Sequence, residues 1–142
     1  MFKPYLLQLL DECEDDLVIV VDTQWRDSVN RDRAADYVNC SQPHSRANYG
    51  DSIFLESAGE NLGEDSIHGE WMGIIKISSA ILPTVRKEVD SLSKLENFDS
   101  MKMHHLLEHL CRLKQPIRVV YTTGNWLDVD TLEDVIRANN FL

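Results

Sequence analysis

The chain is poor in positive charge, in cysteine and in long apolar runs, and each shortage narrows what it can be. Its 14 lysines and arginines are outnumbered by 24 aspartates and glutamates, for a formal net charge of -10. Such a surface repels nucleic-acid phosphates and anionic membranes, so neither is expected as a general partner. One small anion can still find a local basic pocket, and the balance suits a protein that recruits divalent cations. Cysteine is limited to Cys13, Cys40 and Cys111. No two of them have C-x-x-C spacing, so neither a zinc knuckle nor a disulfide framework is indicated. With no signal-peptide pattern and no apolar run near the length of a membrane span, the free thiols point to a reducing cytoplasm.

What is present suits one domain over residues 1–142, because 43% of the residues are hydrophobic and 27% are charged. No internal repeat and no linker divides it. The pattern Tyr5, Leu6, Leu7, Leu9, Leu10 predicts a helix between Lys3 and Glu14, with Pro4 in its first turn. Leu17-Val18-Ile19-Val20-Val21 is a continuous β-branched run without alternation. Such a run suits a strand covered on both faces, as in a parallel sheet, and Asp22 stands at its C-terminal end, where open α/β sheets place ligands. A polar stretch follows to Gly50, with a short strand near Tyr37, and a further strand is predicted at residues 52–55 ahead of turn-rich Ser57–Gly63. Met72–Ser78 reads as a strand, and residues 81–92 and 103–113 as helices. Ile117–Thr122 reads as another strand, Gly124-Asn125 as a turn and Trp126–Asp130 as extended. Thr131 then caps a last helix, with Asp134 three residues on, as in a capping box. The order is mixed α/β with a mainly parallel sheet. It opens in mid-pattern on a helix, as a truncated nucleotide-binding domain would.

The segment Gly124-Asn-Trp-Leu-Asp-Val-Asp-Thr-Leu-Glu-Asp134 carries the most chemistry. Alternation along a strand puts Trp126, Asp128 and Asp130 on one side and turns Leu127 and Val129 to the core. Two carboxylates at a strand end are hard oxygen ligands that suit magnesium. The plainer reading leaves Asp128 solvated and lets Asp130 cap the following helix.

This segment resembles the small-molecule nucleotidyltransferases. It is most similar to the cytidylyltransferases related to the phosphocholine enzyme, and to the domain found alone or fused to phosphoenolpyruvate mutase in phosphonate biosynthesis. Phe2-Lys-Pro-Tyr-Leu-Leu7, Leu17–Asp22 and Gly69-Glu-Trp-Met-Gly-Ile-Ile-Lys76 agree with it in order. The resemblance implies a partial Rossmann-like nucleotidyltransferase fold that lacks the N-terminal nucleotide-binding strands and the glycine-rich loop that grips the triphosphate. It further implies attack by a phosphate or phosphonate oxygen on the α-phosphorus of CTP or another NTP, with magnesium neutralising charge. Asp128 and Asp130 would hold the metal, and Asp22, Glu70 and Trp71 would line the acceptor pocket. A carboxylate and an indole face suit an acceptor that carries an ammonium. Against this stands the reading of Trp71 as core and Glu70 as a surface charge. No residue is assigned a direct catalytic part, and the chain by itself is expected to be inactive.

Arg26, Arg31 and Arg33 could grip a phosphonate, but they alternate with Asp27, Asp32 and Asp36, which favours a self-paired, solvated loop. Two rival functions remain. One is a non-catalytic fragment or association module, consistent with a homo-oligomer. The other is a zinc metallohydrolase, because His105-Leu-Leu-Glu108-His109 matches H-x-x-E-H, with surface histidines on an amphipathic helix as its alternative.

Overall fold

The apolar run at Leu17–Asp22 forms an interior strand of a five-stranded mixed sheet, buried at every position. The computed structural model describes residues 1–27, 34–48, 50–129 and 131–139. Its strands are β1 (Leu17–Asp22), β2 (Tyr37–Cys40), β3 (Leu55–Gly59), β4 (Gly69–Ile77) and β5 (Arg118–Thr122). The helices are α1 (Tyr5–Glu12), α2 (Leu82–Leu92), α3 (Met103–Arg112) and α4 (Leu132–Ala138). Strand order is β3-β2-β4-β1-β5.

Alternation along β1 shows why the run is continuous. Leu17, Ile19 and Val21 join a core with Val85 of α2 and with Leu107 and Leu110 of α3. Val18 and Val20 turn to the other face and meet Leu6 and Leu10 of α1. Helices therefore cover both faces, and no position of β1 can be polar without a partner.

The expected mainly parallel sheet is corrected here. Only β1 and β5 run parallel, whereas β1–β4, β2–β3 and β2–β4 are antiparallel. An unbroken apolar run reports burial on two faces, and strand direction leaves no mark on it. The strand predicted at residues 52–55 is also displaced, since β3 begins at Leu55 and runs through part of the expected turn.

The sheet bends back on itself. Leu55 N–H donates to the Ile117 carbonyl at 2.9 Å and Val119 N–H to the Ile53 carbonyl at 2.8 Å, so the approach to β3 pairs with the outer edge of β5. That pairing covers part of an edge that would otherwise recruit another strand.

Two glycines make β4 possible. At Gly69 an added Cβ would lie 2.4 Å from Val21 Cγ1 and 2.7 Å from the Asp22 carbonyl oxygen. Only glycine lets β4 approach β1 so closely at the strand end. Gly73, at φ +77°, lies where the β1–β4 register slips between Ile19↔Ile75 and Val21↔Trp71. The bulge frees the Ile74 carbonyl, and the Trp71 indole N–H donates to it at 2.9 Å.

Candidate functional site

One row of backbone partners crosses all five strands at a single end of the sheet. Gly59 pairs with Tyr37, Tyr37 with Glu70, Glu70 with Asp22, and Asp22 with Thr122. Paired residues project to the same face, so the sheet collects Tyr37, Glu70, Asp22 and Thr122 side by side. That face also carries α1: the Tyr5 hydroxyl lies 3.3 Å from Thr122 Oγ1, and Trp126 packs with Leu6, Leu10, Val18 and Val20.

Asp22 is 6% exposed and ties two loops together. Its Oδ1 accepts the Gln24 and Gly124 backbone N–H groups, both at 2.9 Å, and Oδ2 accepts the Trp126 indole N–H at 2.8 Å. The turn that aims Gly124 N–H inward has left-handed backbone at Gly124 (φ +62°) and Asn125 (φ +68°). Gly124 supplies this conformation without a Cβ penalty, and asparagine tolerates it. Three donors satisfy most of the carboxylate's acceptor capacity, so Asp22 positions the segment that follows β5.

The three residues expected to line an acceptor pocket divide between the faces. Glu70 lies beside Asp22 and is 3% exposed. Trp71 points the other way, into the core with Val85 and Leu107, at 4% exposure. It offers a ligand no ring face.

Aromatic faces at this end come instead from Trp25 and Tyr37, whose rings meet edge to face at 5.3 Å. With Arg26 and Glu64 they line a pocket of about 270 Å³. The Arg26 guanidinium lies 4.4 Å from the centre of the Trp25 ring, and its Nε is 3.8 Å from Glu64 Oε1. Asp36 in turn meets His104, with Oδ1 2.6 Å from Nδ1. Of the expected arginine–aspartate loop, Arg26 contacts Glu64 and Asp36 meets His104, while Arg31, Asp32 and Arg33 lie outside the described residues. An aromatic residue in the polar stretch after Asp22 is the signal that could have singled out Trp25.

The acidic segment departs from strand geometry. Phe2 bridges Trp126, with Lys3 N–H on the Asn125 carbonyl and Leu127 N–H on the Met1 carbonyl, but no regular strand continues beyond it. Val129, expected in the core, is 38% exposed, because a segment without a ladder need not keep strand alternation. Asp128 is exposed, and Asp130 lies outside the described residues. Capping of α4 belongs to Thr131 and Asp134. The Thr131 N–H and hydroxyl donate to Asp134 Oδ2 at 3.0 and 2.7 Å, and Asp134 N–H donates to Thr131 Oγ1 at 3.2 Å.

The H-x-x-E-H residues turn to three different places. His105 Nδ1 accepts the Lys102 backbone N–H at 2.9 Å, and His109 Nε2 lies 2.9 Å from Glu88 Oε2. Glu108 accepts the Ala58 N–H at 3.2 Å and contacts Arg112 at 3.3 Å. Among the described residues, potential metal ligands gather instead at Asp36, Glu60 and His104. No local motif announces that trio, because its members lie far apart in sequence.

Burial pushes both the Cys40 and Cys111 thiols up to about 11; at Cys40 the Tyr121 hydroxyl opposes the rise and the Glu56 carboxylate adds to it. Free thiols remain at Cys13, Cys40 and Cys111. No helix among the described residues is long and apolar enough to cross a membrane. Neither the family models nor the curated proteins compared with this chain give a match.

Proposed function

We propose that this chain is the acceptor-binding portion of a nucleotidyltransferase domain of partial Rossmann-like fold, which transfers CMP from CTP, or the nucleotidyl group of another NTP, to a small phosphate or phosphonate. The observation that carries the reading is the pocket of Trp25, Arg26, Tyr37 and Glu64 at the end of the sheet where Asp22 and Glu70 lie. It offers aromatic rings and a carboxylate to an ammonium, and a guanidinium to phosphonate oxygens. Aminoethylphosphonate and phosphocholine carry both charges a few bonds apart.

Magnesium would fall to Asp128 and Asp130. The exposure of Asp128 suits an ion that keeps several waters and takes only one or two protein carboxylates. Such an ion supplies charge neutralisation to the phosphates. Asp22 acts at one remove, by holding the turn that leads to Asp128. Thr131 and Asp134 cap α4 reciprocally just beyond this segment. With no glycine-rich loop among its 142 residues, the chain is expected to bind acceptor without releasing pyrophosphate from CTP.

Titration calorimetry with aminoethylphosphonate and with phosphocholine tests this. One of the two should bind, and Trp25→Ala and Arg26→Ala should each weaken it about tenfold, near 1.4 kcal/mol. In a domain that also carries the triphosphate loop, Asp130→Asn should abolish most turnover. Binding that ignores both pocket variants, or no binding at millimolar ligand, sinks the proposal.

A further inference from the structure

On the opposite face of the sheet from the acceptor pocket, three elements bring Asp36, Glu60 and His104 together, each with a ligand atom within 4.8 Å of the others. Asp36 immediately precedes β2, Glu60 immediately follows β3, and His104 lies in the first turn of α3. The backbone beneath them is fixed. Asp36 accepts the Trp71 N–H through its carbonyl at 2.8 Å, and Tyr37 pairs with Gly59, so residues 36 and 60 flank one rung of the ladder. His104 is 6% exposed, its ring stacked against His105 at 4.1 Å.

We propose that Asp36, Glu60 and His104 form a zinc site that Lys102 closes in the metal-free protein. The donor chemistry selects the ion. One imidazole nitrogen with two carboxylates suits zinc, whereas magnesium prefers oxygen ligands alone. Two carboxylates and a neutral imidazole balance a dication without residual charge. The arrangement described is the one such a site adopts when a proton and an ammonium replace the ion. His104 Nδ1 and Asp36 Oδ1 are 2.6 Å apart, sharing a hydrogen bond. The Lys102 ammonium contacts Glu60 Oε1. Zinc bonds of about 2.0–2.2 Å in a tetrahedral shell separate neighbouring donors by roughly 3.4 Å. Metal entry therefore needs the His104–Asp36 pair to part by less than an ångström or so, and Lys102, whose side chain is 52% exposed, to swing into solvent. Lysine and zinc compete for one carboxylate, and a water completes the shell.

His105 and His109 are the controls. Neither belongs to the set of mutually close ligand atoms; His105 accepts the Lys102 N–H and His109 meets Glu88. Titration of the whole chain with zinc, and with cobalt(II) followed by its visible absorption, tests the site. One equivalent should bind and raise the melting temperature. His104→Ala and Glu60→Gln should each weaken binding at least tenfold, while His109→Ala leaves it unchanged. Lys102→Met should tighten binding severalfold, a gain that misfolding cannot produce. No zinc binding by the unaltered chain, binding that survives His104→Ala, or weaker binding by folded Lys102→Met would each overturn the proposal. Because the readout is metal affinity, the result is independent of whether the acceptor pocket binds its ligand.

Discussion

Asp22 and Asp128 lie on either side of the turn that follows β5 and live in opposite surroundings. Asp22 is buried and receives two backbone N–H groups and an indole. Asp128 is exposed on the irregular segment that follows Trp126. The difference teaches how to divide carboxylates at a strand end. One buried among donors of its own chain organises loops, whereas one exposed to solvent can meet an ion that keeps its waters. The Trp126 indole links them, since it anchors the start of the acidic segment to Asp22.

Stability measurements can break that comparison. Asp22→Ala would leave the Gln24 and Gly124 N–H groups and the Trp126 indole without their acceptor, and unsatisfied buried donors are costly. Chemical denaturation should register a loss of about 2–4 kcal/mol. Asp128→Asn should change stability by no more than about 0.5 kcal/mol, as surface substitutions do. Equal losses at the two positions would erase the distinction.

A smaller effect sharpens it. Asp134→Ala removes the carboxylate that accepts from Thr131, and loss of such a cap costs about 1 kcal/mol. The midpoint of denaturation should fall accordingly, without the larger change seen at Asp22. An unchanged midpoint would show that Thr131 and Asp134 do not secure α4.

The smallest expected effect on stability comes with a separate readout. Leu132, Val135 and Ile136 of α4 are 79%, 47% and 61% exposed, while Asp134 and Ala138 face inward. If that apolar surface supports a homo-oligomer, Leu132→Ser should lower self-association in sedimentation velocity and move stability by less than about 0.5 kcal/mol. An identical sedimentation profile for the two proteins would remove α4 from any such interface.

Much of the architecture was legible locally. Apolar spacing located α1, α2 and α3, because a helix face repeats every three or four residues whatever it packs against. Thr131 and Asp134 announced their reciprocal cap for the same reason: both partners lie within one turn. The β1 run correctly indicated burial on both faces. It could not indicate direction, since side-chain alternation is identical in parallel and antiparallel strands. The displaced start of β3 has a similar cause, as the Ile53–Phe54 segment is ordered by pairing with β5 and by no preference of its own.

For the candidate sites the division is sharper. From composition and spacing alone come an acidic α/β chain, its principal helices, its buried strand and the acidic segment after β5. Those properties depend on residues within a few positions of one another, so the chain order states them directly. Tertiary structure alone decided that Trp71 is core while Trp25 and Tyr37 supply the aromatic faces, because the pairings of Trp71 with Val21 and of Tyr37 with Glu70 set which way each side chain turns. It alone brought Asp36, Glu60 and His104 within reach of one ion. Contacts between β2, β3 and α3 close across long stretches of chain, and nothing in the local sequence encodes a distance that only the packed sheet defines.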